Sequence, residues 1–157
     1  MGLIEVLIAL LVLSFGFLAA GTMQLQALRD GQDSYHRSQA RLLLDDMMDR
    51  MRNNPDGVDA GAYDDKDTST TSAADCGGSV CSPTELAARD LAEWRVRLAP
   101  SGSASPALPP SPDGTAERKP KGTISAPTDG VYELELSWWV SENGQMKERS
   151  AVARFVP

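Results

Sequence analysis

The chain is short of most of what catalysis and nucleic-acid binding draw on. His36 is its only histidine, which excludes a three-histidine or HExxH zinc centre and would force any Ser-His-Asp triad onto one position in a polar, helix-like stretch. Bases are the minority, 15 against 22 acids for a net charge of −7. A nucleic-acid partner is therefore not expected, since phosphates require a basic face. Aromatics make up only 6% of the residues, leaving no base-stacking surface. Cysteine is limited to Cys76 and Cys81, spaced CxxxxC rather than CxxC, with no second pair to complete a zinc site. No charged neighbour stands where it would lower a thiol pKa, which argues against a redox-active pair. No Lys or Arg precedes Leu3, and the first base is Arg29.

What the chain does have is one long apolar run at its N-terminus, LIEVLIALLVLSFGFLAA, Leu3 to Ala20. A signal peptide has a basic n-region and a shorter apolar core. At about 1.5 Å per residue this run covers close to the ~30 Å hydrocarbon core of a bilayer, so a membrane helix is the reading it fits. Its one charge is Glu5. A carboxylate at bilayer depth costs roughly 2.5–3.5 kcal/mol on insertion scales and marks a functional position by default. The nearest kind of group that can offset it is an α-amino terminus. The positive-inside rule gives little guidance, because the N-terminal flank is almost nil. Either Met1 is a mature terminus from which a basic leader was removed, or the chain was trimmed to start there.

The helix is expected to continue past the membrane. From Thr22 to Asn53 there is no proline, and Gly31 is the only glycine. Ala40, Leu43, Leu44, Met47, Met48 and Met51 recur at helical spacing as one apolar stripe. Arg41, Asp45, Asp46, Asp49, Arg50 and Arg52 occupy the other surface, with Arg41–Asp45 and Asp46–Arg50 at pairing distance. Asn53-Asn54-Pro55-Asp56-Gly57 predicts the end of the helix and a turn. One helix of this length, anchored at one end, is built to carry a head at the other.

Downstream, Gly61 to Ala74 reads as an acidic loop. CGGSVC reads as a short structural disulfide, Cys76 to Cys81, around Gly77 and Gly78, since a head outside the cytosol would oxidise it. Ser82-Pro83-Thr84-Glu85 is a helix start, with Ser82 as N-cap, Pro83 at the first turn and Glu85 closing a capping box. That helix should run to Leu98 and bury Leu86, Leu91, Trp94 and Leu98. Pro100 to Gly122 is proline-rich and reads as an exposed linker or loop. Tyr132, Leu134, Leu136, Trp138 and Val140 alternate with polar residues as a half-buried strand. Asn143-Gly144 signals a hairpin, and Gln145 to Val156 is the return strand. A short strand at Gly122 to Ala126 is expected to pair with that return strand. The fold class is α+β: a long N-terminal helix packed on a small antiparallel sheet. Residues 1–24 form its membrane half, 25–54 its amphipathic half, and 55–157 a head with an inserted helix at 83–98 and a C-terminal hairpin.

Three groups resemble catalytic or metal motifs without their context. Asp45-Asp46-Met47-Met48-Asp49 has the form DDxxD, but no second acidic motif accompanies it, and the arginines beside it make a solvated helix face. Asp64-Asp65-Lys66-Asp67 lacks the glycine and terminal glutamate of a calcium loop. No catalytic residue, metal or cofactor is expected, and the chain does not read as an enzyme.

LIEV with Glu5 ahead of an apolar run resembles the processed N-terminus of the type IV pilin superfamily, which also includes type II secretion pseudopilins. Ser34 to Gly57, SYHRSQARLLLDDMMDRMRNNPDG, and Cys81 to Arg95, CSPTELAARDLAEWR, resemble the PilV family of type IVa minor pilins. Many pilins carry proline where this chain has Thr22. The resemblance implies that Met1 is the N-methylated product of a leader peptidase and N-methyltransferase, and that Glu5 meets the Met1 α-amino group of an adjacent subunit. It implies an inner-membrane protein with a periplasmic head that passes into the extracellular pilus, at its tip. The implied partners are other minor pilins, a tip adhesin and the major pilin, and the role is in assembly priming, adhesion and twitching motility. The alternatives are a type II secretion pseudopilin or a membrane-tethered binding domain unrelated to pili.

Overall fold

A computed structural model describes residues 2–69, 80–98, 107–142 and 144–157. The chain divides into two compact units, Met1–Tyr35 and His36–Pro157.

Helix α1, Leu3–Arg52, supplies all of the described first unit but Gly2, and the first element of the second. It runs through Thr22, Gly16, Gly21 and Gly31 without a break. It ends where Asn54 N–H bonds the Met51 carbonyl at 3.1 Å, one residue before Pro55. The expected plain turn here is instead a second helix, α2, Pro55–Asp59, with Pro55 in its first turn and Asn54 as its cap. The proline that cannot continue α1 is suited to start another helix, because its missing N–H is not needed there. Gly57 N–H donates to Asn54 Oδ1 at 3.3 Å. A Cβ at Gly57 would fall 2.3 Å from Asn54 Nδ2, so the cap requires glycine.

The described strands form one antiparallel sheet in the order β1-β2-β3-β4. They are β1 at Lys66–Asp67, β2 at Lys121–Ile124, β3 at Tyr132–Glu142 and β4 at Gln145–Phe155. Strand β1 lies inside the segment read as a loop. Two residues carry no periodicity, and the strand exists because Thr68 and Gly122 tie it to β2: Thr68 N–H bonds the Gly122 carbonyl at 2.9 Å, and Gly122 N–H bonds Thr68 Oγ1 at 3.0 Å. The expected short strand is present as β2, but it pairs with β3 and not with the return strand. Its connection to β3 is a tight hairpin. Thr128 and Val131 exchange two backbone hydrogen bonds of 3.0 Å, and Asp129 and Gly130 between them have φ of 53° and 76°. That is the double positive-φ turn for which Asp-Gly is a preferred pair. With β4 paired along the other side of β3, β2 has only the remaining edge to take.

Helix α3, Pro83–Leu98, starts as the capping box requires. Ser82 N–H donates to Glu85 Oε2 at 2.8 Å, and Glu85 N–H approaches Ser82 Oγ at 3.4 Å. It buries Ala87, Asp90, Leu91, Ala92, Trp94 and Leu98, while Leu86 is only half-buried. The core of the second unit joins the apolar stripe of α1, this face of α3, and the inward residues of β3. Gly122 lets β2 lie under Trp94, because a Cβ there would stand 2.5 Å from the indole ring.

The described part of the proline-rich segment, residues 107–122, is less exposed than its composition implies. Leu108 is completely buried, and Ala116–Arg118 is a 3-10 turn. Asp113 accepts from Ser111 Oγ at 2.8 Å and from Thr115 N–H at 3.1 Å, and it pairs with Arg118. Proline excludes regular hydrogen bonding but does not exclude burial of a neighbouring leucine.

Candidate functional site

The first unit offers chemistry of one kind. Over Leu3 to Leu18 the side chains are apolar on every side and exposed in the single chain, with Leu3 at 82% and Phe17 at 70%. The helix is long and apolar enough to cross a membrane. Two hydroxyls in its early part bond back onto the helix: Ser14 Oγ donates to the Leu10 carbonyl at 2.7 Å and Thr22 Oγ1 to that of Ala19 at 2.8 Å. Thr22 thus continues the helix. Glu5 sits exposed on this surface as its single charge. Met1, the partner the resemblance implies, lies outside the described residues. A Cβ at Gly16 or Gly21 would meet nothing within 4 Å, so no packing among the described residues calls for either glycine.

The second unit is locked by a polar cluster that sequence reasoning caught only in part. Arg50 was expected to meet Asp46, and does, at 3.0 Å. It also reaches across to α3, to Asp90 at 3.0 Å and Glu93 at 2.8 Å, while Arg97 binds Asp46 at 2.6 Å. Asp90 is buried, and its other oxygen accepts from Tyr63 Oη at 2.8 Å. Asn54 donates to that same hydroxyl at 3.0 Å and to the Pro83 carbonyl at 2.8 Å. Trp94 Nε1 donates to the Leu43 carbonyl at 3.1 Å. Burial works against the Arg50 charge, but the carboxylates of Glu93, Asp46 and Asp90 outweigh it and hold its pKa above the ordinary value. Burial, reinforced by Asp90 and opposed by the Asn54 hydrogen bond, pushes the Tyr63 phenol up. Arg50 and then Arg89 hold the Glu93 carboxyl low. Charges placed to neutralise one another this fully are a brace for two helices and do not form a reactive site.

Among the described residues no group of His, Cys, Asp and Glu could hold a metal ion. Two of the three DDxxD acids are committed elsewhere, Asp46 to Arg50 and Arg97 and Asp49 to Arg52 at 2.8 Å. In the Asp64–Asp67 stretch, Asp64 accepts from Tyr132 Oη at 2.7 Å, Asp65 from Ala126 N–H at 3.0 Å, and Asp67 pairs with Lys121 at 3.1 Å. These carboxylates fasten the β1 segment to the sheet. Cys81 lies just ahead of the α3 cap, and Cys76 lies outside the described residues.

A long N-terminal helix with an apolar first part and a small antiparallel sheet is the architecture of a pilin-like α+β protein. The family described as Tt1218-like, Type IV pilin Tt1218, matches residues 22–92, a stretch from just past the apolar run through α2 and β1 into α3. The match supports a place in the type IV pilin superfamily as a structural subunit. The apolar run and strands β2 to β4 lie outside it. No curated protein and no solved structure matches the chain.

Proposed function

We propose that this protein is a minor pilin of a type IV pilus, of the PilV kind, acting in assembly priming and at the pilus tip, and so in adhesion and twitching motility. The observation that carries the reading is an exposed apolar helix whose one charge is Glu5, continuing into a pilin-like head. Residues 1–24 sit in the inner membrane before assembly and in the filament core after it; 25–54 and 55–157 form the periplasmic, later extracellular, part. Met1 is the processed, N-methylated terminus, made by a leader peptidase and N-methyltransferase. Glu5 forms an ion pair with the Met1 amino group of a neighbouring subunit, because a charge in a low-dielectric core must be paired. Cys76 and Cys81 form a disulfide that pins the chain ahead of the Ser82 cap. Its partners are other minor pilins, a tip adhesin and the major pilin, and its work is structural.

The deciding experiment is incorporation of Glu5→Gln and Glu5→Ala into pili, beside co-expression of the chain with companion minor pilins. Loss of incorporation and a stable heteromeric complex are expected. Unchanged incorporation sinks the Glu5 role. If the head stays alone while the companions assemble without it, the pseudopilin reading replaces this one. Non-reducing peptide mapping of periplasmically expressed chain should link Cys76 to Cys81.

A further inference from the structure

Strand β4 is eleven residues long and is bonded on one side only, since among the described residues no strand lies beyond it. Which of its backbone groups are free follows from the registers. Ser125 N–H donates to the Glu133 carbonyl, so odd-numbered residues of β3 turn their backbone groups toward β2. Even-numbered ones then face β4, where Tyr132 pairs with Phe155, Leu134 with Ala153 and Leu136 with Ala151. The odd residues of β4 are thereby used. Met146, Glu148, Ser150, Val152 and Arg154 turn their N–H and carbonyl groups outward, and all but the half-buried Met146 are exposed. A long open edge of this kind is a template for another strand.

The side chains on this edge specify the occupant. Ser150-Ala151-Val152-Ala153 is uncharged and small, and Glu148 and Arg154 stand three residues to either side of Ala151 on the same face. We infer that β4 pairs antiparallel with β4 of a second copy, about a two-fold axis at Ala151. In that register Glu148 lies opposite Arg154 of the other copy, twice by symmetry, Ser150 opposite Val152, and Met146 opposite the exposed Val156. Shifting the axis to Ser150 or Val152 leaves Glu148 without Arg154, and an axis at Glu148 or Arg154 sets like charges face to face. Within its own chain Glu148 has Trp139 opposite it, not a cation, whereas Arg154 already holds Glu133 at 3.1 Å as an exposed pair. Self-pairing extends that rung to Glu133, Arg154 and the second copy's Glu148, with alternating sign across three strands. The odd residues become the close, non-hydrogen-bonded pairs, and Ala151 meets Ala151, where a small side chain fits. The inference uses β4 alone and does not rest on the pilin reading.

The test uses the full chain in detergent micelles, with mass measured by analytical ultracentrifugation across a concentration series. A concentration-dependent dimer is expected. Glu148→Arg should weaken it about tenfold or more, because two attractive cross-strand pairs become two repulsive ones, and Glu148→Arg with Arg154→Glu should restore it. Tryptophan-monitored unfolding of each variant checks that the head is intact. Under mild oxidation Ala151→Cys should yield a 151–151 linked peptide. Met146→Cys should not, since the two copies of residue 146 would lie about 33 Å apart along the strands. A monomer at every concentration, a dimer indifferent to Glu148→Arg, or equal cross-linking at 146 and 151 overturns the proposal.

Discussion

The two parts of α1 solve opposite problems with one backbone conformation. Leu3 to Leu18 expose apolar side chains on all faces, and polar Ser14 and Thr22 bond back onto their own helix. From Ala40 to Met51 only one stripe is apolar; Ala40, Met47 and Met51 are fully buried in the core, and the outer side is tied through Arg50 to α3. The second part is finished by its own chain. The first is not: among the described residues its apolar side chains stay exposed, a surface suited to lipid or to other helices. Helix formation and helix completion are thus separate matters. Local propensity delivers the first, while the second depends on what else can be brought to the surface.

Breaking the completed part should have the largest effect. Trp94 is fully buried against Gly122 and bonded to the Leu43 carbonyl. Trp94→Ala should cost about 3–5 kcal/mol of head stability, read by chemical denaturation of the full chain in micelles with circular dichroism. Arg50→Met removes the cation from the buried Asp90 carboxylate and should cost about 2–4 kcal/mol, since a charge left without its partner is the expensive outcome. If Arg50→Met were neutral, the brace between α1 and α3 would be ornamental, and packing alone would hold the head.

Tyr63→Phe sharpens the point at about 1–3 kcal/mol, because Asp90 and Asn54 each lose a hydrogen bond. It also has a signature in pH. The folded Tyr63 pKa lies above the unfolded value of roughly 10. The stability it contributes is therefore complete below about pH 10 and drains away as pH rises toward the folded value. The mutant's stability should change less across that alkaline range. Glu93 runs the other way. Its folded pKa is depressed, so its contribution is present above roughly pH 4.3 and lost as pH falls through the folded value. Glu93→Gln should blunt acid unfolding.

The smallest effect on the head should come from the first part of α1. Glu5→Gln should leave head unfolding unchanged within about 0.5 kcal/mol, followed by fluorescence from Trp94, Trp138 and Trp139, all of which lie in the second unit. A shift of the head midpoint would show that the two parts of α1 are energetically coupled.

Much of this was readable before any coordinates. The cap at Ser82, the stripe from Ala40 to Met51, the alternation from Tyr132 to Trp138 and the Asn143-Gly144 signal are all local patterns with local causes. Asp129-Gly130 carries the same hairpin signal, and it sets β2 against β3. Strand β1 and the burial of Leu108 had no such signal, because a two-residue strand and one leucine among prolines are defined only by what lies beside them.

By itself the sequence determined that one helix would be apolar first and amphipathic later, where α3 would begin, and that a hairpin would close the chain. These follow from side-chain periodicity and from the demands of unpaired backbone groups at helix ends and turns. Only the tertiary structure decided that Arg50 would serve Asp90 and Glu93 as well as Asp46, that Asn54 and Tyr63 would join the same cluster, and that β2 would flank β3. Those contacts bring together residues as much as 43 positions apart, as Arg50 and Glu93 are. A carboxylate four places along a helix can be read from spacing, but one on another helix becomes a partner only after the core between them has closed.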